Sequence, residues 1–268
     1  MISLSSTRTL WSRIAGSCTR SAAIAFVLCV AGSAHARAQT MSGSSFTLEQ
    51  ILSYPYTAEL TSSDSGARIA WVFDREGVRN IWAAEGPDYK ARQVTDYRAD
   101  DGQELTNLSI TNDGKFIVFV RGGDHDANWP LDHEPNPALS TVQPKVEIFV
   151  VPFAHSGDRK APQLLSEGDA PVVSPRGDRV ALLKDHQIWI ARVDSAGSGK
   201  RLFFARGESS SPVWSPNGDR LAFVSSRGDH SFIGIFTSDS APIRYLAPST
   251  SNDGSPRWSP DGKHIAFV

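Results

Sequence analysis

The sequence contains only two cysteines, Cys18 and Cys29, and both lie close to its start. That stretch has the layout of a secretory leader. Arg8, Arg13 and Arg20 precede the apolar run AAIAFVLCVAG (22–32), and the small residues Ala34, Ala36 and Ala38 follow it. The run falls short of the ~20 apolar residues that a membrane span needs, so residues 1–38 are expected to be a cleaved signal peptide. Cys29 follows Leu28 rather than a small residue, so a lipid-anchored product is not expected, and with no twin arginine before the run the general secretion route is expected. A chain starting at Gln39 has no cysteine, which excludes a disulfide framework although the expected location is the periplasm or the medium. Its stability has to come from its core.

An excess of basic charge is missing as well. Lys and Arg number 27 against 29 Asp and Glu, and the leader removes four arginines and no acid. Nucleic acid and anionic lipid are therefore not expected as partners, and no membrane contact is expected after cleavage. A third absence concerns chemistry. A serine nucleophile on a strained strand-to-helix turn needs G-x-S-x-G, and no such pentapeptide occurs. The nearest, GESSS (207–211), lacks the second glycine. Alone, this chain is not expected to cleave peptide bonds.

What the sequence does contain is repetition. VVSPRGDRVALL (172–183), VWSPNGDRLAFV (213–224) and RWSPDGKHIAFV (257–268) are plain copies, and SSDSGARIAWV (62–72) and SITNDGKFIVFV (109–120) are looser ones. Their glycines fall at 66, 114, 177, 218 and 262. Steps of about 40–45 residues are the length of a four-stranded propeller blade. Within each copy, Pro175, Pro216 or Pro260 presets a type I turn, and the glycine takes the left-handed position that closes a bulged hairpin. The short apolar run that follows reads as a buried strand.

Each phrase is followed by a partner strand and then a short edge strand: NIWAAE and ARQVT, KVEIFVV and PQLLS, QIWIARV and KRLFF, FIGIFTS and IRYLA. Trp71, Trp82, Trp189, Trp214 and Trp258 are expected to pack between blades. The recurring Ala70, Ala181, Ala222 and Ala266 point to a crowded centre. The fold class is all-β: a β-propeller of four nearly complete blades and the start of a fifth, over residues 60–268. Residues 39–59 form a lead-in, where Thr47 and Gln50 have capping-box spacing and Pro55 ends a short helix. The final copy stops one strand into a blade, leaving Ile265 to Val268 as an apolar edge. Such edges invite aggregation, so the natural protein is expected to run on past Val268.

The S-P-D-G-K phrase resembles the repeats of two exported groups, the Tol-system periplasmic propeller and the propeller of the prolyl oligopeptidase family of serine peptidases. The longer stretches FTLEQILSYPYTAELTSSDSGARIAWV (46–72), RNIWAAEGPDYKARQVT (79–95) and DDGQELTNLSITNDGKFIVFVRGGDHDANWP (100–130) resemble the peptidase family, including its dipeptidyl-peptidase and acylaminoacyl-peptidase branches. That resemblance implies a propeller that screens peptide substrates for a C-terminal α/β-hydrolase domain lying outside this chain. The alternative is a non-enzymatic Tol-type scaffold for protein interactions. No cofactor is implied.

One segment breaks the repeat, the insertion 121–144. It gathers Asp124, His125, Asp126, Asp132, His133 and Glu134 around Trp129 and Pro130. Its acids and histidines have no recognised metal-ligand spacing, so no metal is expected. Asp126, Trp129, Asp132 and Glu134 are the candidate substrate-gating residues, beside the plainer reading of a solvated loop. An active site in the central channel is not expected, because the recurring strand positions carry alanine and large apolar residues.

Overall fold

The computed structural model describes residues 46–64, 67–123, 144–153 and 161–268. A one-turn helix, α1 (Leu48–Leu52), opens this region, held by the reciprocal capping box of Thr47 and Gln50. It buries none of its residues.

Four antiparallel sheets of four strands follow, each a blade. Blade 1 comprises β1 (Tyr56–Ser62), β2 (Arg68–Arg75), β3 (Val78–Glu85) and β4 (Arg92–Gln93). Blade 2 comprises β5 (Leu105–Ile110), β6 (Phe116–Arg121), β7 (Glu147–Pro152) and β8 (Gln163–Glu167). Blade 3 has β9 (Asp169–Val173), β10 (Arg179–Lys184), β11 (Gln187–Arg192) and β12 (Lys200–Arg201). Blade 4 has β13 (Glu208–Trp214), β14 (Leu221–Ser226), β15 (Ser231–Phe236) and β16 (Arg244–Leu246). A hairpin, β17 (Arg257–Trp258) and β18 (Ile265–Ala266), begins a fifth unit. This is an all-β propeller with the blade count expected from the repeats.

The second strands of blades 2 to 4 explain the unbroken apolar runs, because both of their faces pack into cores. Along β14, Leu221 and Phe223 enter the core shared with blade 3, while Ala222 and Val224 enter the core shared with the fifth unit. Along β6, Ile117 and Phe119 face blade 1, and Val118 and Val120 face blade 3. A strand of period two with two apolar neighbours has no solvent face to mark with polar residues. Ala70, Ala181 and Ala222 therefore sit on the face turned to the next blade rather than at the centre, and all three are fully buried.

The S-P-x-G turns fold as the chemistry of the phrase dictates. In each, the glycine N–H donates to the carbonyl of the Ser or Thr three residues back: Gly114 to Thr111, Gly177 to Ser174, Gly218 to Ser215 and Gly262 to Ser259, at 2.6 to 2.8 Å. The glycines take φ of 67° to 71°, a region that a Cβ resists.

The same phrase fastens one blade to the next. Arg68, Arg179 and Arg220, two positions after their turn glycines, donate to the carbonyls of Gly114, Gly218 and Gly262, the turn glycines of the following units, at 2.7 to 2.8 Å. Arg179 and Arg220 also lie over the rings of Trp214 and Trp258. Phe116 occupies this position in blade 2, where Asn112 instead reaches the Pro175 carbonyl at 3.0 Å. Trp71 and Trp82 both pack edge-on to Phe73, within their own blade.

Candidate functional site at the axial mouth

The first strands of successive units touch in order, β1 to β5, β5 to β9, β9 to β13 and β13 to β17, so they form the inner ring around the propeller axis. These are the strands that the repeated phrase covers least. The alanines and large apolar residues of the phrase belong to the second strands, so they say nothing about what lines the axis.

Each inner strand of blades 1 to 4 is broken by a bulge. The register skips between Ala58 and Thr61, between Thr106 and Ser109, between Asp169 and Val172, and between Ser210 and Val213. Five residues with left-handed backbone sit at the matching place: Glu59, Asn107, Ala170, Ser211 and Ser255, with φ of 47° to 57°. None is a glycine, and each stands seven residues before the glycine of its phrase. Such geometry costs a residue with a Cβ about 1–2 kcal/mol, so its recurrence reflects the architecture of the inner ring rather than chance.

Beside the first two bulges lies a cleft of about 390 Å³, lined by Tyr56, Glu59, Asp74, Arg79, Glu104 and Asn107 among others. Glu59 Oε2 accepts the N–H of Leu108 at 3.2 Å, so one blade's carboxylate closes the next blade's bulge. Asp74 is paired with Arg79 at 3.1 Å and accepts the Gly77 N–H at 2.7 Å. Three carboxylates against one guanidinium give the cleft a negative potential.

The cleft lies at the end of the propeller where the insertion leaves blade 2. Leu105, in its wall, pairs with Arg121, the last residue of β6. Arg121 is anchored by an ion pair with Asp101 and stacks over Tyr97 at 4.8 Å. Burial raises the Tyr97 phenol to about 12 against the opposing pull of Arg121, so it stays protonated. The base of the insertion is thus firmly held. Asp126, Trp129, Asp132 and Glu134 themselves lie outside the described residues. Among the described residues, no group of three or more His, Cys, Asp and Glu comes together as a metal site. No described helix is long and apolar enough to cross a membrane.

Reading the sequence missed the bulges, and one signal could have found them. Pro171, Pro212 and Pro256 each stand four residues before the turn prolines Pro175, Pro216 and Pro260. A second proline at fixed spacing inside a strand marks a place where no ladder N–H is wanted.

Comparison with known proteins agrees with this architecture. The family described as the TolB β-propeller domain matches residues 156–268. No curated protein matches. Among solved structures, a puromycin-hydrolysing peptidase of Mycobacterium tuberculosis aligns with 80% of this chain and 34% of its own, at 15% identity and a TM-score of 0.53. The propeller domain of Cps50 (Swd1) from Myceliophteria thermophila aligns over 80% of this chain and 62% of its own, at 11% identity and a TM-score of 0.52. TolB of Acinetobacter baumannii covers 79% of this chain at 18% identity and a TM-score of 0.48, and this chain spans 48% of that TolB. At such identities the likeness concerns the fold alone: an all-β propeller, with TolB-type repeats over residues 156–268.

Proposed function

We propose that this chain is the propeller module of an exported serine peptidase, filtering peptides on their way to an α/β-hydrolase domain encoded outside residues 1–268. The observation that carries the reading is the negatively charged cleft of Glu59, Asp74 and Glu104 at the axial mouth, beside the anchored base of the insertion. A filter needs selective groups where the passage opens, on a scaffold too rigid to yield. The resemblance of residues 46–130 to the peptidase family supports it, as does the alignment with a peptidase of which this chain spans about a third. The hydrolytic serine, aspartate and histidine would lie in the other domain. Asp126, Trp129, Asp132 and Glu134 of the insertion would be the residues that sort what enters.

A second reading has its own observation. The TolB-type repeats of residues 156–268 favour a periplasmic scaffold, whose axial mouth would hold a segment of a partner protein. The two readings part at the gene. Reading the frame downstream of the Val268 codon tests them: a G-x-S-x-G elbow followed by an aspartate and a histidine supports the peptidase. A stop after one or two further blades overturns it in favour of the scaffold.

A further inference from the structure

We infer that the face of blade 1 turned away from blade 2 is a docking surface, and that its occupant is another blade of the same repeat, supplied by this polypeptide from outside residues 1–268. Strand β2 alternates: Ala70 and Val72 enter the core shared with blade 2, so Ile69, Trp71 and Phe73 stand on the opposite side. There they line, with Leu60 of β1, an open groove of about 510 Å³. The same places are closed in blades 2 to 4. Three residues after the turn glycine, in the place of Ile69, Ile117, Val180 and Leu221 are fully buried. Five residues after it, in the place of Trp71, so are Phe119, Leu182 and Phe223. Six residues before it, in the place of Leu60, Leu108, Pro171 and Pro212 are buried. In blade 1, Ile69 and Trp71 are only half-buried and Leu60 is 75% exposed.

What covers these places in blades 2 to 4 is the second strand of the preceding blade. It presents a small or β-branched residue and, two positions on, a branched aliphatic one: Ala70 and Val72, Val118 and Val120, Ala181 and Leu183. The groove on blade 1 continues that interface, so its occupant carries the same pair. Trp71 is larger than its counterparts, which calls for the small member, alanine or glycine, opposite it. Phe73 stands where the other blades have Arg121, Lys184 and Ser225, so this seam stays apolar further along the strand than the others. The occupant is therefore apolar at that end as well. The helix α1 buries none of its residues and does not fill the role. An apolar groove of this kind left open to water is a liability, and a further blade removes it. The inference rests on the proposed function in one respect, that further blades lie outside residues 1–268, which the peptidase and the scaffold share.

Thiol labelling of the whole polypeptide tests this. Residues 39–268 contain no cysteine, so a thiol placed among them is followed by the mass of its own peptide. Leu60→Cys should react with a maleimide roughly tenfold or more slowly than Arg98→Cys, whose native side chain is 84% exposed, and the two rates should converge in urea. Should Leu60→Cys fail to fold, hydroxyl-radical footprinting of the unsubstituted protein reads the same groove, with Leu60 and Trp71 protected relative to the urea-unfolded chain. A downstream frame that encodes no further blade would overturn the inference together with the reading on which it rests. With further blades encoded, labelling of Leu60→Cys as fast as Arg98→Cys, or an unprotected Trp71, would overturn the inference alone. Protection that disappears on dilution, with a dimer in sedimentation, would overturn it in favour of a second copy as the occupant.

Discussion

Trp214 donates its indole N–H to the carbonyl of Val172, 2.9 Å away in the preceding blade. Trp258 repeats the bond to Val213 at 3.0 Å, one unit further on. The tryptophan of the W-S-P phrase is therefore both core and cross-link, which no hydrophobic residue of similar size could be. Trp214→Phe should cost about 1 kcal/mol for the lost bond, and Trp214→Ala about 3–5 kcal/mol through the cavity as well. Denaturant midpoints at constant m-value measure both. A phenylalanine variant as stable as the parent would mean that the bond contributes nothing.

The arginine latch gives a second expectation. Arg179 is two-thirds buried, donates to the Gly218 carbonyl and covers the Trp214 ring. Arg179→Met keeps much of the stem packing and loses the bond, so a loss of about 1 kcal/mol is expected. Placing methionine at the fully solvated Arg98 should change stability by less than about 0.5 kcal/mol, and thermal melts of the two variants compare them directly.

Turn glycines separate strain from contact. Gly177 has φ of 70°, and a Cβ built there meets its nearest neighbours at ordinary distances, so Gly177→Ala should cost about 1–2 kcal/mol from the left-handed backbone alone. At Gly114, a Cβ would also lie 2.5 Å from Arg68 Nη1 and displace the latch. Gly114→Ala should therefore be the more damaging of the pair in urea unfolding. Equal losses would show that the latch yields freely.

Acid should loosen the turns. The Asp178 and Asp219 carboxyls are pushed up by partial burial, but the Ser174 and Ser215 hydroxyls, with Arg179 and Arg220, more than reverse this and hold them below the ordinary range. A carboxyl depressed in the folded state stabilises it above its unfolded value, and that contribution disappears as pH falls through the folded value. Stability should thus be flat near neutrality and decline below about pH 4, where ordinary aspartate titrates. Asp178→Asn with Asp219→Asn should flatten that decline. Melting temperatures across the acid range check the sign.

Much of this was legible in the sequence because hairpin chemistry is local. Pro216, Gly218 and the run Leu221–Val224 determine turn, bulge and strand without reference to anything distant. The inner strands were not legible, because their bulges break the period-two pattern: YTAELTS and ESSSPVW read as irregular polar stretches, and their role depends on neighbouring blades. Arg179 and Arg220 were not legible as latches for the same reason, since their partners lie in the next repeat. Glu59 was invisible as a site residue. Its one clear contact, Leu108, is in another blade.

The most direct measurement is labelling of producing cells with a fluorophosphonate probe, followed by capture of the polypeptide that carries this propeller with an antiserum raised against residues 46–268. Capture of a probe-labelled polypeptide larger than the 29.1 kDa of this chain is the expected result, since the reactive serine would belong to the attached hydrolase domain. Recovery of an unlabelled polypeptide, at the same probe dose that labels other serine hydrolases in the extract, would contradict the peptidase reading.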